Sequence, residues 1–181
     1  MLSKMPIFLI RPHAGETQIS KEWPKKVLMP LDGSSLAESV LLPIETISQQ
    51  GNSRLELTLL RVCESRDLIS DYPEASMPLS WEEHVKAAMA AAEHSCGIYL
   101  DDIQTRLQTS GIQTNSQVIL GDKDNVSQNI VDYTNKGNYD LIAMSTHGRS
   151  AISVWPYGHV ADRLVQVLSV PLLLVHPEKT E

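Results

Sequence analysis

The sequence predicts one α/β domain built on an open, parallel, five-stranded sheet with helices on both faces. The chain has 181 residues, 42% of them hydrophobic and 20% charged, which suits a single domain with a sizeable core. Its apolar residues form short continuous runs, which are typical of strands buried on both faces. Helical patterns alternate with these runs, and such alternation builds a parallel sheet.

Five apolar runs are predicted to be strands because each is short and ends in polar or turn-forming residues. In chain order they are Val27–Leu31, Leu55–Val62, Gln117–Leu120, Leu141–Met144 and Pro171–Val175. An open α/β sheet binds ligands outside the carboxyl ends of its strands, where the strand order reverses. The residues that directly follow each strand are therefore candidates for a functional site.

Four helices are predicted between the strands from apolar residues at helical spacing. We expect Pro43 to kink the first helix, and the second and longest helix to end at Gly111. The apolar positions are Leu36, Val40, Ile44 and Ile47; Val85, Met89, Ala92, Cys96, Tyr99, Ile103 and Leu107; Val126, Ile130 and Tyr133; and Val160, Leu164 and Val167.

Two segments lie outside this pattern. Residues 64–80 are polar and contain prolines, so we expect a flexible loop beside the site. Residues 1–24 form an N-terminal arm before the domain, which spans 25–178. Residues 5–12 and 170–177 both read apolar, Pro, four apolar residues, a basic or imidazole residue, Pro. The arm is either an extra strand, left over from the last strand of a preceding copy of the domain, or a chance echo.

Composition argues against several classes of function. Fifteen Lys and Arg against 22 Asp and Glu give a net charge of −7, which disfavours nucleic-acid binding. No apolar run approaches membrane length, so we expect a cytoplasmic protein that binds no membrane. Cys63 and Cys96 form no CxxC pattern and are expected to be reduced thiols. The six histidines lack metal-ligand spacing, so no metal site is expected.

The most informative segment runs from the fourth predicted strand through a turn into the last helix. Ser145, Gly148 and Gly158 have the spacing small-x2-Gly-x9-Gly. Glycine lets backbone N–H groups approach a ligand closely, and a helix N-terminus favours an anion. By itself this is a weak phosphate signal, because strand–turn–helix junctions often contain glycine only to turn. The chain has neither a GxSxG nucleophile motif nor a GxxxxGK[ST] phosphate loop.

Four parts of the chain resemble the universal stress protein family, in the family's order and over roughly residues 25–177. They correspond to its first strand and helix, its second strand, its fourth strand and turn, and its last helix and strand. In this sequence they are residues 27–38, 59–62, 140–149, and 161–165 with 170–177. The resemblance implies a Rossmann-like fold of the adenine nucleotide alpha hydrolase type, and a homodimer formed through the last strand, Leu172 to Val175. Many members bind ATP or AMP through a Gly-x2-Gly-x9-Gly-Ser/Thr loop, whereas others lack the loop and do not.

The resemblance also implies roles for single residues around ATP or AMP, with Mg²⁺ as an open question. Asp32 would contact the ribose or the adenine edge, and Val62 would offer backbone groups to the adenine. Ser145, Gly148 and Gly158 would line the triphosphate. The expected nucleotide-binding set is Pro30, Leu31, Asp32, Val62, Ser145, His147, Gly148, Arg149, Gly158, His159, Val160 and Ala161. As alternatives, Asp32 caps the following helix and His147 is a turn residue held by hydrogen bonds.

The chain departs from the family pattern in its phosphate loop. Ser145 stands at the first glycine, which is a mild change. His159 stands where Ser or Thr would contact phosphate. Its imidazole, with an ordinary pKa of about 6.5, could pair with a phosphate or fill the pocket and exclude the γ-phosphate. Trp155 and Pro156 could also reshape the loop.

The expected function is that of a cytoplasmic stress-response protein that binds an adenine nucleotide as a regulatory ligand. It is not expected to be an enzyme, beyond slow ATP hydrolysis, because Asp32 has no paired base. The alternative is a dimeric interaction module of the same family that binds no nucleotide, with the pocket closed by His159 and Trp155. Adenylyl-transfer chemistry ranks last because Arg149 stands alone.

Overall fold

The computed structural model describes residues 6–10, 24–51, 54–64, 81–121, 125–147 and 158–177. Within these ranges one sheet contains six strands in the spatial order β1-β6-β5-β2-β3-β4. Strands β2 to β6 are mutually parallel, whereas β1 is antiparallel to β6. The strands are β1 Ile7–Leu9, β2 Lys26–Pro30, β3 Glu56–Glu64, β4 Gln113–Gly121, β5 Leu141–Ser145 and β6 Leu172–Val175.

The five predicted parallel strands are present, but the prediction of a five-stranded sheet is wrong because the arm adds a sixth strand. Ile7 pairs with Leu174, and Leu9 pairs with Leu172. An apolar edge strand such as β6 presents unpaired backbone groups that favour the addition of another strand. Apart from residues 6–10 and 24, the predicted arm lies outside the described residues. So does the predicted loop 64–80, except for Glu64 at the end of β3.

The helices agree in order with the prediction, although their bounds differ. A short 3₁₀ helix, Ala37–Val40, leads directly into α1, Leu41–Gln50. Pro43 lies in the first turn of α1, where its missing N–H costs no helical hydrogen bond, and the change of geometry occurs before it. The remaining helices are α2 Trp81–Thr109, α3 Val126–Gly137 and α4 His159–Val167.

Each face of the sheet has its own hydrophobic core, which explains why the strands are continuously apolar. Along β2, the side chains of Val27 and Met29 join one core, whereas Leu28 joins the other. This alternation follows from the two-residue period of a strand. The first core includes Ile44 of α1 and residues of α2, and the second includes Leu164 of α4 and residues of α3.

Cys63 and Cys96 form a disulfide, so the expectation of two reduced thiols is wrong. Cys63 lies near the carboxyl end of β3 and Cys96 lies in α2, and their Cα atoms are 6.5 Å apart. Both side chains are buried. The two residues are 33 positions apart in the sequence, so only the packing of α2 against the sheet brings them together. The bond ties α2 to the strand end next to Val62.

Reduction of the Cys63–Cys96 bond is expected to lower the free energy of unfolding by about 3–4 kcal/mol, because the bond restricts the unfolded chain. Urea unfolding with and without a reductant measures this difference. The double variant Cys63→Ser/Cys96→Ser is the control, since its unfolding should not respond to the reductant. Equal unfolding of the parent protein in both conditions would contradict the disulfide.

Candidate functional site

The strand order reverses at β2, and the carboxyl ends of β2 and β5 meet there. From β2 the chain builds β3 and β4 on one side, then crosses back to build β5 and β6 on the other. At such a reversal the connections leave the two strand ends in opposite directions, which opens a crevice. The crevice lies on the sheet face covered by α3 and α4, as its lining residues show.

A cavity of about 140 Å³ occupies this crevice. All of the predicted nucleotide-binding residues that the structure describes line it: Pro30, Leu31, Asp32, Val62, Ser145, His147, Gly158, His159, Val160 and Ala161. Gly148 and Arg149 lie outside the described residues, as do Trp155 and Pro156.

Sequence reasoning missed part of the cavity wall. The missed residues are Ala37, Leu60, Val126, Ile130 and Met144. All of them are apolar, and most belong to helical or strand patterns that also describe an ordinary core, so periodicity could not separate wall from core. Thr146, a candidate because it follows the fourth predicted strand, also lines the cavity.

A larger depression of about 590 Å³ lies at the opposite edge of the sheet. It is lined by residues around the amino ends of β3 and β4, including Arg54 and Gln113. Open α/β sheets bind ligands at the carboxyl ends of their strands, in the crevice where the strand order reverses. The larger depression lies at the amino ends instead. We therefore take the smaller cavity as the candidate site.

Asp32 shapes the turn that follows β2. Its Oδ1 accepts hydrogen bonds from the Ser34 backbone N–H at 2.9 Å and from the Ser34 hydroxyl at 2.6 Å. The Ser34 hydroxyl oxygen accepts in turn from the Ala37 N–H at 3.1 Å, at the start of the 3₁₀ helix. Asp32 thus orders the turn through Ser34, and the first residue of the helix donates its hydrogen bond to Ser34 rather than to Asp32. This role leaves Asp32 on the cavity wall.

Arg61 supports the same turn from the other face of the sheet. Gly33 has a φ of +82°, and a Cβ at this position would lie 2.6 Å from Nη1 of Arg61. The guanidinium carbon of Arg61 lies 4.8 Å from the ring centre of Tyr99 in α2. Burial, reinforced by the Glu38 carboxylate, raises the pKa of Tyr99. The ring therefore stays neutral and presents its π face to the cation.

Thr146 joins two histidines at the carboxyl ends of β5 and β6. Its hydroxyl oxygen lies 3.0 Å from Nδ1 of His147 and 3.1 Å from Nδ1 of His176. The two rings meet edge to face, with centroids 5.3 Å apart. A hydroxyl has one proton to donate, so at least one of the two imidazoles must donate from Nδ1. The turn alternative for His147 is thus supported, and His147 also lines the cavity.

Gly158 fixes the amino end of α4 against β5. Its N–H donates to the Thr146 carbonyl oxygen at 2.7 Å, and a Cβ at this position would lie 3.1 Å from the same oxygen. Among the residues that the structure describes, none caps the first turn of α4 with its side chain, and the positive end of the helix dipole lies at the cavity wall. His159 is exposed, which argues against the alternative that its ring fills the cavity.

Comparison with known proteins identifies the family. Residues 24–176 match the model of the universal stress protein family, and the chain belongs to this family. No curated protein sequence matches it significantly.

Solved structures support the fold. The protein described as hypothetical protein MJ0577 is 20% identical, with a TM-score of 0.70, and the match covers 86% of this chain and 98% of that one. Universal stress protein UspA from Lactobacillus plantarum is 17% identical, with a TM-score of 0.65 and coverages of 84% and 97%. A universal stress protein family member from Arabidopsis thaliana, solved with AMP bound, is 14% identical, with a TM-score of 0.54 and coverages of 86% and 94%.

Two searches of the described residues bear on other classes of site. None of the helices described here is long and apolar enough to cross a membrane. Within the same part of the chain, no three His, Cys, Asp or Glu side chains are grouped so that they could hold a metal ion.

The substitution Gly33→Ala is expected to lower the free energy of unfolding by about 1–2 kcal/mol, because the left-handed backbone at this position opposes a Cβ. The matched control is Gly97→Ala in α2, where a Cβ meets no atom within 4 Å. The control should stabilise the protein by about 0.5–1 kcal/mol through helix propensity. Urea unfolding measures both changes, and equal effects would show that the turn does not require glycine at position 33.

Proposed function

We propose that this protein binds an adenine nucleotide, AMP or ATP, in the cavity at the strand-order reversal, and that the bound state serves as a regulatory signal in the cytoplasm. The observation that carries the proposal is that the expected nucleotide-binding residues lie together. Residues chosen from separate parts of the sequence line one cavity at the carboxyl ends of β2 and β5. That cavity has a carboxylate on one wall and a helix amino end on another.

The chemistry of the walls suits the parts of a nucleotide. Leu60, Val62 and Ile130 give an apolar surface on which an adenine ring would pack. The Asp32 carboxylate can accept hydrogen bonds from ribose hydroxyls. The amino end of α4 would hold the phosphates, because uncapped N–H groups and the helix dipole favour anions. The AMP complex of the Arabidopsis relative supports the same ligand class.

Rapid hydrolysis is not part of the proposal. A fast nucleotide hydrolase needs a group that orients or deprotonates the attacking water. Among the described residues on the cavity wall, Asp32 is the one carboxylate, and its Oδ1 is engaged by Ser34. We therefore propose a binding protein with at most slow ATP hydrolysis.

A second candidate function is that of an interaction module without a nucleotide, and the size of the cavity favours it. The volume of about 140 Å³ is smaller than the roughly 300–1,000 Å³ that is typical of small-molecule sites. A nucleotide would extend beyond this volume, and AMP would extend beyond it by less than ATP. The predicted homodimer through Leu172 to Val175 stays a proposal, and it requires β1 to leave the edge of β6.

Calorimetric titration with AMP and with ATP tests the proposed function. We expect saturable binding, weakened about tenfold or more by Asp32→Asn, since a hydrogen bond to a charged group contributes about 1.5–3 kcal/mol. This variant keeps an acceptor oxygen for Ser34, so the turn should survive. Asp102→Ala is the control, because Asp102 is an exposed carboxylate of α2 that does not line the cavity.

The absence of heat with both ligands, from a folded and nucleotide-stripped protein, would reject the proposal in favour of the interaction module. In that case His159→Ser shows whether His159 is the cause. A gain of ATP binding would mean that the histidine keeps the nucleotide out, whereas no gain would place the obstruction elsewhere.

A further inference from the structure

The arm strand β1 lies on the outer edge of β6, the position that a strand from another molecule would otherwise take. Ile7 pairs with Leu174, Phe8 with Leu173 and Leu9 with Leu172, all in antiparallel orientation. All four residues of β6 are apolar and buried. The ladder closes an edge that is unusually open to pairing with another chain.

The register of this pairing has the symmetry of a two-fold dimer. In the sequence echo, Ile7, Phe8 and Leu9 correspond to Leu172, Leu173 and Leu174. The central pair, Phe8 with Leu173, therefore joins corresponding residues. On either side of it, the first residue of one strand pairs with the last residue of the other. A two-fold interface has the same property, since residue i of one copy contacts residue j of the other and j contacts i.

If the β6 strand of a second copy took the place of β1, the two β6 strands would consequently form a symmetric pair. Leu173 of one copy would pair with Leu173 of the other, and Leu172 with Leu174 on either side. The antiparallel ladder would keep its register, and every new side chain would be as apolar as the one it replaces. No change in the rest of the sheet is needed.

The arm holds this edge through few contacts. The ladder has only three residue pairs. Leu9 packs against the core of the α3/α4 face, whereas Ile7 and Phe8 are each 47% exposed and Ile10 is 41% exposed. Short elements with few buried apolar contacts open at low free-energy cost. Competition between β1 and an incoming strand is therefore feasible.

We propose that the arm regulates the homodimer put forward above, and this inference rests on that homodimer. On its own sheet β1 occupies the place that the β6 strand of a second copy would take, and it keeps the β6 edge covered. The partner is a second copy of this chain, paired antiparallel about Leu173. With β1 in place the protein is a monomer, and when β1 is removed or displaced it dimerises.

The test measures mass in solution over a range of protein concentrations for three variants and the parent. Deletion of residues 1–20 removes β1. Leu9→Asp weakens β1 by placing a charge against the core, and Ile10→Asp makes the same chemical change one residue beyond the ladder. Parent and Ile10→Asp are expected near the 20.1 kDa of one chain. The deletion and Leu9→Asp are each expected to approach twice the mass of their own chain as concentration rises.

Three outcomes would overturn the proposal. In the first, the deletion and Leu9→Asp variants fold, as judged by circular dichroism, yet remain monomers at every concentration. In the second, all four proteins form the same dimer, so that the arm does not control association. In the third, the parent is a dimer and Leu9→Asp is a monomer, so that the arm pairs with the neighbouring copy. If the deletion variant precipitates, Leu9→Asp decides the question alone, because Leu9 lies outside the domain that the family model matches.

Discussion

The pairing of β2 with β5 is the interaction on which the rest of the structure depends. Only two residue pairs form this ladder, Val27 with Leu141 and Leu28 with Ile142, yet it joins the two halves of the sheet. Asp140 fixes the amino end, where its carboxylate accepts from the backbone N–H groups of Lys25 and Lys26 at 3.0 and 2.8 Å. The paired residues lie near the amino ends of the two strands, and the cavity lies at their carboxyl ends.

The two sides of the cavity are held by different contacts. On one side, Ser34 donates a hydrogen bond to Asp32 within the turn. The Arg61 guanidinium lies next to Gly33 of the same turn and over the ring of Tyr99. On the other side, one hydrogen bond from Gly158 to Thr146 ties the start of α4 to β5. The Cys63–Cys96 bond anchors the neighbouring end of β3. Cytoplasmic proteins rarely keep disulfides. In the proposed location this bond is therefore subject to reduction, and its reduction would release the end of β3 that lies beside the cavity.

The sequence predicts what depends on local pattern and misses what depends on distant packing. Continuous apolar runs identified the five parallel strands, and the rule of strand ends found Asp32 and Ser145. The sequence does not decide between a strand and a chance echo for β1, because three apolar residues specify no partner until the β6 edge exists. The partnership of Arg61 with Tyr99 and the Cys63–Cys96 bond both require α2 to be packed on β3, which no local spacing reveals.

The most direct test of the central claim is the map of backbone amide chemical-shift changes on titration of ¹⁵N-labelled protein with AMP. We expect the largest shifts to cluster at the carboxyl ends of β2 and β5 and at the first turn of α4, including Asp32, Thr146 and Val160. Amides around Arg54 and Gln113, at the opposite edge of the sheet, should not move. Saturable shifts confined to that opposite edge, or no shifts in the folded protein, would contradict a nucleotide site at the strand-order reversal.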